Sequence, residues 1–119
     1  MSLKHFTLSE FDSLDSPGSG VHMDPAFLSM LDSTREEAGI PFNINSGYRT
    51  LSHNIKVGGS HNSAHLRGKA ADISAPSSTD KFLIIRASLH NGFRRIGIGS
   101  DFIHLDNDIS LPQNIIWTY

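Results

Sequence analysis

Residues 63–74 read SAHLRGKAADIS, from Ser63 to Ser74, and put one histidine, one glycine, several small residues and one carboxylate into a very short space. Within this run Ala70 to Ser74 reads as a strand, so Ala70, Asp72 and Ser74 share one face and Ala71 and Ile73 the other. His65 and Asp72 are seven positions apart, with Gly68, Ala70 and Ala71 leaving room between them. Neutral imidazole and carboxylate are ligands that Zn²⁺ accepts, and a site with three protein ligands leaves a position for water. The run is therefore a candidate metal half-site. Its missing ligand must come from elsewhere, and the later stretch DFIHLD, centred on His104, is the donor the chain offers.

Working outward, the elements on either side suit an α+β domain. Upstream, Thr7 can cap a short turn over Leu8 to Phe11, and SLDSPGSG is a loop by composition. Asp24 before Pro25 starts a helix in which Phe27, Met30, Leu31, Thr34 and Ala38 recur at helical spacing, and Gly39 stops it. Phe42, Ile44 and Ser46 alternate with asparagines as in a strand. Thr50 to Val57 suits a short helix, followed by the polar loop GGSHNS. Downstream, Ser77 and Asp80 resemble a capping pair for a helix running to about His90, with a broad apolar face of Phe82, Leu83, Ile84, Ile85 and Leu89. Gly92 ends it. Arg94 to Gly99 and Phe102 to Leu105 are strand-like runs joined by a short turn, which predicts a hairpin. The tail LPQNIIWTY is apolar enough to pack back onto the domain. Helices alternating with short hairpin-linked strands predict one domain over residues 1–119, with a mainly antiparallel sheet flanked by helices.

Composition narrows the function classes. A chain of 119 residues buries most of its apolar surface without a staple, so a metal here serves chemistry. A formal charge of −2 with no basic run argues against a nucleic-acid partner. With no cysteine, any metal site must be built from His, Asp or Glu. The segment MSLKHFTLSEFDS lacks the continuous apolar core of a secretion signal, and no run approaches the roughly 20 apolar residues of a membrane span. The expectation is a soluble protein made in the cytoplasm, with no membrane partner.

Of the seven histidines, His5, His22, His53, His61 and His90 have simple surface or loop readings, with His61 in the loop nearest the half-site. His104 lies between Ile103 and Leu105, so it points away from them, and Asp101 and Asp106 stand close by. The bland alternative for His104 is a buried histidine satisfied by one of these aspartates. Arg49, taken alone, reads equally well as a surface ion pair.

The run SAHLRGKAAD fits the SxHxxGxAxD signature and, with SGYRT upstream, GIGSDFIHLD downstream and a terminal WTY, resembles the zinc D,D-peptidase family. That family includes peptidoglycan-cleaving zinc D-Ala-D-Ala carboxypeptidases and phage endolysin peptidases. The opening segments FTLSEFD and MDPAFL are also similar to its small stand-alone members, so the resemblance covers nearly the whole chain. It implies a hedgehog/D,D-peptidase-like fold with Zn²⁺ held by His65, Asp72 and His104. It also implies Asp101, three residues before His104, as general base, and Arg49 as a substrate contact and anion-stabilising charge. Some relatives carry glutamate where Asp101 stands. A base at Asp101 converges with His104 only if it belongs to the turn before the strand, since residues three apart on a strand face opposite ways. Asp106 is the rival, as base or as the residue that orients a ligand, and the structural role suits it better. Ser63, Tyr48 and Trp117 are further candidates for the substrate side.

The function implied is a zinc metallopeptidase acting as a monomer on peptidoglycan stem peptides, as a D-Ala-D-Ala carboxypeptidase or an L-alanyl-D-glutamate-type endopeptidase. Without a signal, release to the cell wall during phage lysis suits it, as does a cytoplasmic role on recycled muropeptides. The alternative from another class is a non-catalytic zinc-binding recognition module, as in the hedgehog domain. A phage structural domain without turnover is the third.

Overall fold

The computed structural model describes residues 2–119. Its sheet grows around Ala70–Ser74, which is strand β2; the other strands are β1 (Ile44–Ser46), β3 (Arg95–Ile98), β4 (Phe102–Asp106) and β5 (Ile115–Thr118). They lie side by side in the order β1-β2-β4-β3-β5. Every neighbouring pair is antiparallel except β3 and β5, which run parallel. Helices α1 (Pro25–Ala38) and α3 (Ser78–His90) pack against one another on one side of the sheet, and the short α2 (Leu51–Lys56) follows β1.

The helices begin and end where local chemistry dictates. The Asp24 carboxylate accepts the Phe27 N–H at 3.0 Å, and Gly39 closes α1 at φ 72°, a conformation glycine adopts without a Cβ penalty. Thr50 caps α2 by accepting the His53 N–H at 3.1 Å, and Ser77 caps α3 by accepting the Asp80 N–H at 3.0 Å. Period-two alternation on the strands then divides the sheet into two faces. Ala71, Ile73, Ile96, Ile103 and Leu105 join Phe27, Leu31, Phe42, Ile84 and Phe93 in the core. Asp72, His104, Asp106, Arg95 and Trp117 line a cleft on the other face.

Two expectations are corrected. The buried face of α3 is Ile84, Ala87 and Ser88, while Phe82 and Leu89 are more than half exposed. Two small residues on one stripe let α1 approach closely, so the helix turns that narrow stripe inward, and Phe82 lies outside under the Arg86 guanidinium, 5.4 Å from its ring centre. The tail does return to the domain, but as an edge strand beside β3 rather than through its isoleucines; Ile116 stays 55% exposed, and Trp117 makes the contact. Among the described residues no helix is long and apolar enough to cross a membrane.

Candidate metal centre and its cleft

One row of residues crosses all five strands. Ser46 pairs with Asp72, Asp72 with His104, His104 with Gly97, and Gly97 with Trp117. Directly opposed residues in an antiparallel pair bring their Cβ atoms within about 5.5 Å, so register alone places the Asp72 carboxylate beside the His104 ring. His104 Nδ1 lies 2.9 Å from Asp72 Oδ1. His65 arrives from outside the sheet, on a single 3₁₀ turn over Ala64–Arg67 whose Ser63 cap accepts the His65 N–H at 3.2 Å. Gly68 ends this turn at φ 69°, where a Cβ would sit 2.3 Å from the His22 carbonyl oxygen, so no larger residue fits. The result sets the His65 and His104 rings 5.2 Å apart, and ligand atoms of His65, Asp72 and His104 all lie within 4.8 Å of one another.

The hydrogen bonds settle which nitrogens face this point. His65 Nδ1 is 2.7 Å from the Gly47 carbonyl oxygen, which can only accept, so Nδ1 carries the proton and Nε2 presents a lone pair. That lone pair faces Asp72 Oδ1 at 3.4 Å. Burial pushes the His65 pKa down and outweighs the attraction of Asp72, keeping the ring neutral. Two electron-rich atoms aimed at each other in a buried place fit a cation between them. His104 differs, because Nε2 reaches Asp106 Oδ2 at 2.7 Å and Nδ1 reaches Asp72, both acceptors. Burial pushes its pKa down, but these two carboxylates outweigh burial and raise it, so in the metal-free protein the ring holds both protons. Burial likewise raises Asp72, yet the hydrogen bond from the protonated His104 overcomes it and holds the carboxyl well below its ordinary value. The proton on His104 Nδ1 is the one a divalent cation displaces, and neutral imidazoles with a carboxylate are the donor set zinc takes.

Arg49, on the connection from β1 to α2, is oriented by three bonds: Nε to Ser46 Oγ at 3.0 Å, Nη1 to Asn54 Oδ1 at 3.2 Å and Nη2 to Asp72 Oδ2 at 3.3 Å. Asp106 is 1% exposed and accepts from Arg95 Nε at 2.8 Å and from His104. It therefore fixes the His104 ring from behind. Trp117 lies over Gly97, against His104 at 5.4 Å between ring centres, with the Arg95 guanidinium 5.0 Å from its ring centre. The cleft above this group measures about 520 Å³.

Of the residues expected from sequence, His65, Asp72, His104, Arg49, Ser63 and Trp117 all line the cleft. Asp101 sits as expected in the bend before β4, but it is exposed and lies outside the cleft lining, its carbonyl accepting the Ala75 N–H at 2.8 Å. Tyr48 also lies elsewhere, stacked on His22 with 5.2 Å between centres and packed toward the core. His61 is exposed on the rim loop. Sequence reasoning passed over Asn54, Arg95 and Tyr119. Asn54 is 1% exposed and bridges Arg49 to the Ser60 carbonyl, while Tyr119 stands on Phe102 at the cleft wall with 5.0 Å between centres. A buried asparagine five residues from an arginine gives no sequence signal of its own.

The tryptophan contact makes a prediction. A Cβ on Gly97 would lie 2.8 Å from the Trp117 ring, so Gly97→Ala lifts the indole off His104 at a cost of about 1–3 kcal/mol. Because the chain has one tryptophan, its emission should shift to longer wavelength; an unchanged spectrum would contradict the packing described.

Comparison with known proteins gives the family and the fold. The peptidase M15 profile matches residues 4–106. The zinc D-Ala-D-Ala carboxypeptidase of Streptomyces albus G is 32% identical over 101 residues, a match spanning 77% of this chain and 39% of the relative's length. In fold, the chain is similar to the crystal structure of the Serratia marcescens L-Ala D-Glu endopeptidase ChiX, with a TM-score of 0.54 and 18% identity over 76% of this chain and 84% of the other. A profile match across nearly the whole sequence, ending on the strand that carries His104, shows that the chain belongs to the peptidase M15 family.

Proposed function

We propose that this protein is a zinc-dependent metallopeptidase that hydrolyses peptide bonds in peptidoglycan stem peptides, with His65, Asp72 and His104 as its metal ligands. The observation carrying this is the convergence of one preset imidazole lone pair, one carboxylate and one second-carboxylate-oriented imidazole at the floor of a cleft beside a fixed arginine. Membership of the M15 family and the likeness to a carboxypeptidase named for zinc support it. When bound, zinc supplies a Lewis acid that brings the pKa of water to about 7 and polarises the scissile carbonyl.

The chain's own residues do the rest. The Gly47 carbonyl and the Asp106 carboxylate keep His65 and His104 in the tautomers that offer Nε2 and Nδ1 to the cleft. Arg49 keeps its charge and holds its fork toward Asp72, where it meets negative charge developing on the carbonyl oxygen or carried by a substrate carboxylate. Asp72 and Asp106 are both engaged, so the proton acceptor of this proposal is Asp101, which must turn inward from its bend when substrate is bound. Its exposed position is also the observation that favours the second reading, a zinc-binding recognition module without turnover.

Digesting purified peptidoglycan and weighing the released peptides tests the proposal, because the new termini name the bond cut. Loss of terminal D-alanine and cleavage after L-alanine are the two expected forms. Asp101→Asn should retain zinc and lose about 10²- to 10⁴-fold in rate. An unchanged rate removes Asp101 from the chemistry, and no release by the zinc-loaded wild type favours the recognition module.

A further inference from the structure

Two walls of the cleft are built from irregular chain. One is the loop at residues 57–63, of which residues 57–60 and 62–63 face the cleft; the other is the segment after β4, which contributes Leu111. Neither has a ladder of strand bonds to hold it, so something else must fix their separation. The near end of the loop is latched by Asn54, whose Nδ2 donates to the Ser60 carbonyl at 2.9 Å and whose own carbonyl accepts the Gly59 N–H at 2.9 Å. At the far end stands Arg67. It lies between His65 and Asp72 in sequence, yet its side chain turns away from the metal centre.

The Arg67 guanidinium makes three bonds in two directions. Nε donates to Asp108 Oδ2 at 2.5 Å, while Nη1 and Nη2 donate to the side-chain and main-chain oxygens of Asn62, both at 3.1 Å. Asp108 is 1% exposed and in turn organises the opposite wall: its Oδ1 accepts the Ser110 N–H at 3.0 Å and hydroxyl at 2.6 Å, and its carbonyl accepts Gln113 Nε2 at 2.9 Å. One planar fork thus spans from the rim loop to the buried anchor of the Leu111 segment. A lysine cannot do this, since its single ammonium has no rigid fork with which to bond both sides at once.

We propose that Arg67 is a positioning residue for substrate binding, a crossbar that ties the 57–63 loop to the Asp108 turn and fixes the width of the cleft. It touches no reacting atom. This rests on the peptidase function proposed above only for its consequence on peptide affinity; the tie itself is a property of the free protein. Holding both walls in place before the peptide arrives spares the ordering cost at binding, so loosening them acts on KM and leaves kcat and the metal alone.

The test is Arg67→Lys, which keeps a positive charge against Asp108 and so preserves the fold, compared with the wild type by amide hydrogen exchange and by kinetics on the pentapeptide L-Ala-D-Glu-L-Lys-D-Ala-D-Ala. Exchange in residues 58–63 and 109–113 should quicken by about tenfold while that of β2 and β4 stays as in the wild type. KM should rise by about tenfold with kcat and zinc content unchanged. Wild-type exchange in both loops overturns the proposal, as does faster exchange with an unchanged KM, or a fall in kcat at constant KM. If the wild type cuts no stem peptide, the peptidase function fails, and the exchange comparison still decides whether Arg67 ties the two walls.

Discussion

His104→Ala protein should carry no zinc after dialysis against a weak chelator, where the wild type carries about one equivalent. Four-ligand structural zinc sites bind with about 10–16 kcal/mol, so each ligand is worth roughly 3 kcal/mol, or roughly a hundredfold in affinity. Removing one of three ligands leaves a carboxylate and a single imidazole, with Arg49 at 3.3 Å from that carboxylate competing for it. His65→Ala should behave alike, because Asp72 and His104 then have no third partner. Metal analysis of the purified variants decides the matter. A full equivalent of zinc in His104→Ala would place the metal elsewhere.

The same site makes zinc binding depend on pH in a definite direction. In the metal-free protein burial lowers the pKa of His104, but Asp106 and Asp72 together raise it above the ordinary 6.5, so His104 is the group that must give up a proton. His65, lowered by burial, is already neutral and gives up none. A raised folded pKa stabilises the metal-free protein fully below the unfolded value, and that contribution is lost as pH rises through the folded value. Zinc affinity should therefore climb by about tenfold per pH unit, with one proton released per zinc, up to the raised pKa of His104, and level off above it. An affinity already level below pH 6.5 would show that His104 binds no extra proton.

Asp106→Asn should be the most damaging substitution of a residue that touches no metal. Asp106 is 1% exposed and receives Arg95, His104 and the Asp108 N–H. An asparagine offers one carbonyl oxygen and one NH₂, so either Arg95 or His104 meets a donor, and Arg95 loses its buried counter-charge. Breaking such a pair costs about 3–5 kcal/mol of stability, and losing the bond behind a metal-binding histidine costs about 10- to 100-fold in metal affinity. Asp101→Asn, at an exposed bend, should change stability by less than about 0.5 kcal/mol. Denaturant melts of the two metal-free variants separate the roles, and equal stabilities would mean that Asp106 is not the anchor of His104.

Much of this molecule is written in short stretches. Asp24, Pro25 and Gly39 bound α1, Ser77 starts α3 and the alternation of Ala70–Ser74 makes β2, because caps, left-handed glycines and strand alternation act within a few residues. The grouping of His65, Asp72 and His104 was legible for the same reason: His65 and Asp72 belong to one compact motif, and His104 lies in a second. The lateral order of the strands was not legible, nor was the parallel place of β5, since both depend on which distant segments pair.

The sequence by itself determined which side chains can bind a metal and which turns and caps deliver them, because that information resides in residue types and near neighbours. Only the tertiary structure decided that Asp72, His104 and Trp117 stand in one row across the sheet, that Arg95 pairs with Asp106, and that Asn54 and the Arg67–Asp108 pair hold the cleft walls. Those choices come from strand register and from polar groups finding partners outside their own stretch, as Arg67 finds Asp108 41 residues on. Nothing local to Arg67 tells it that Asp108 is its partner.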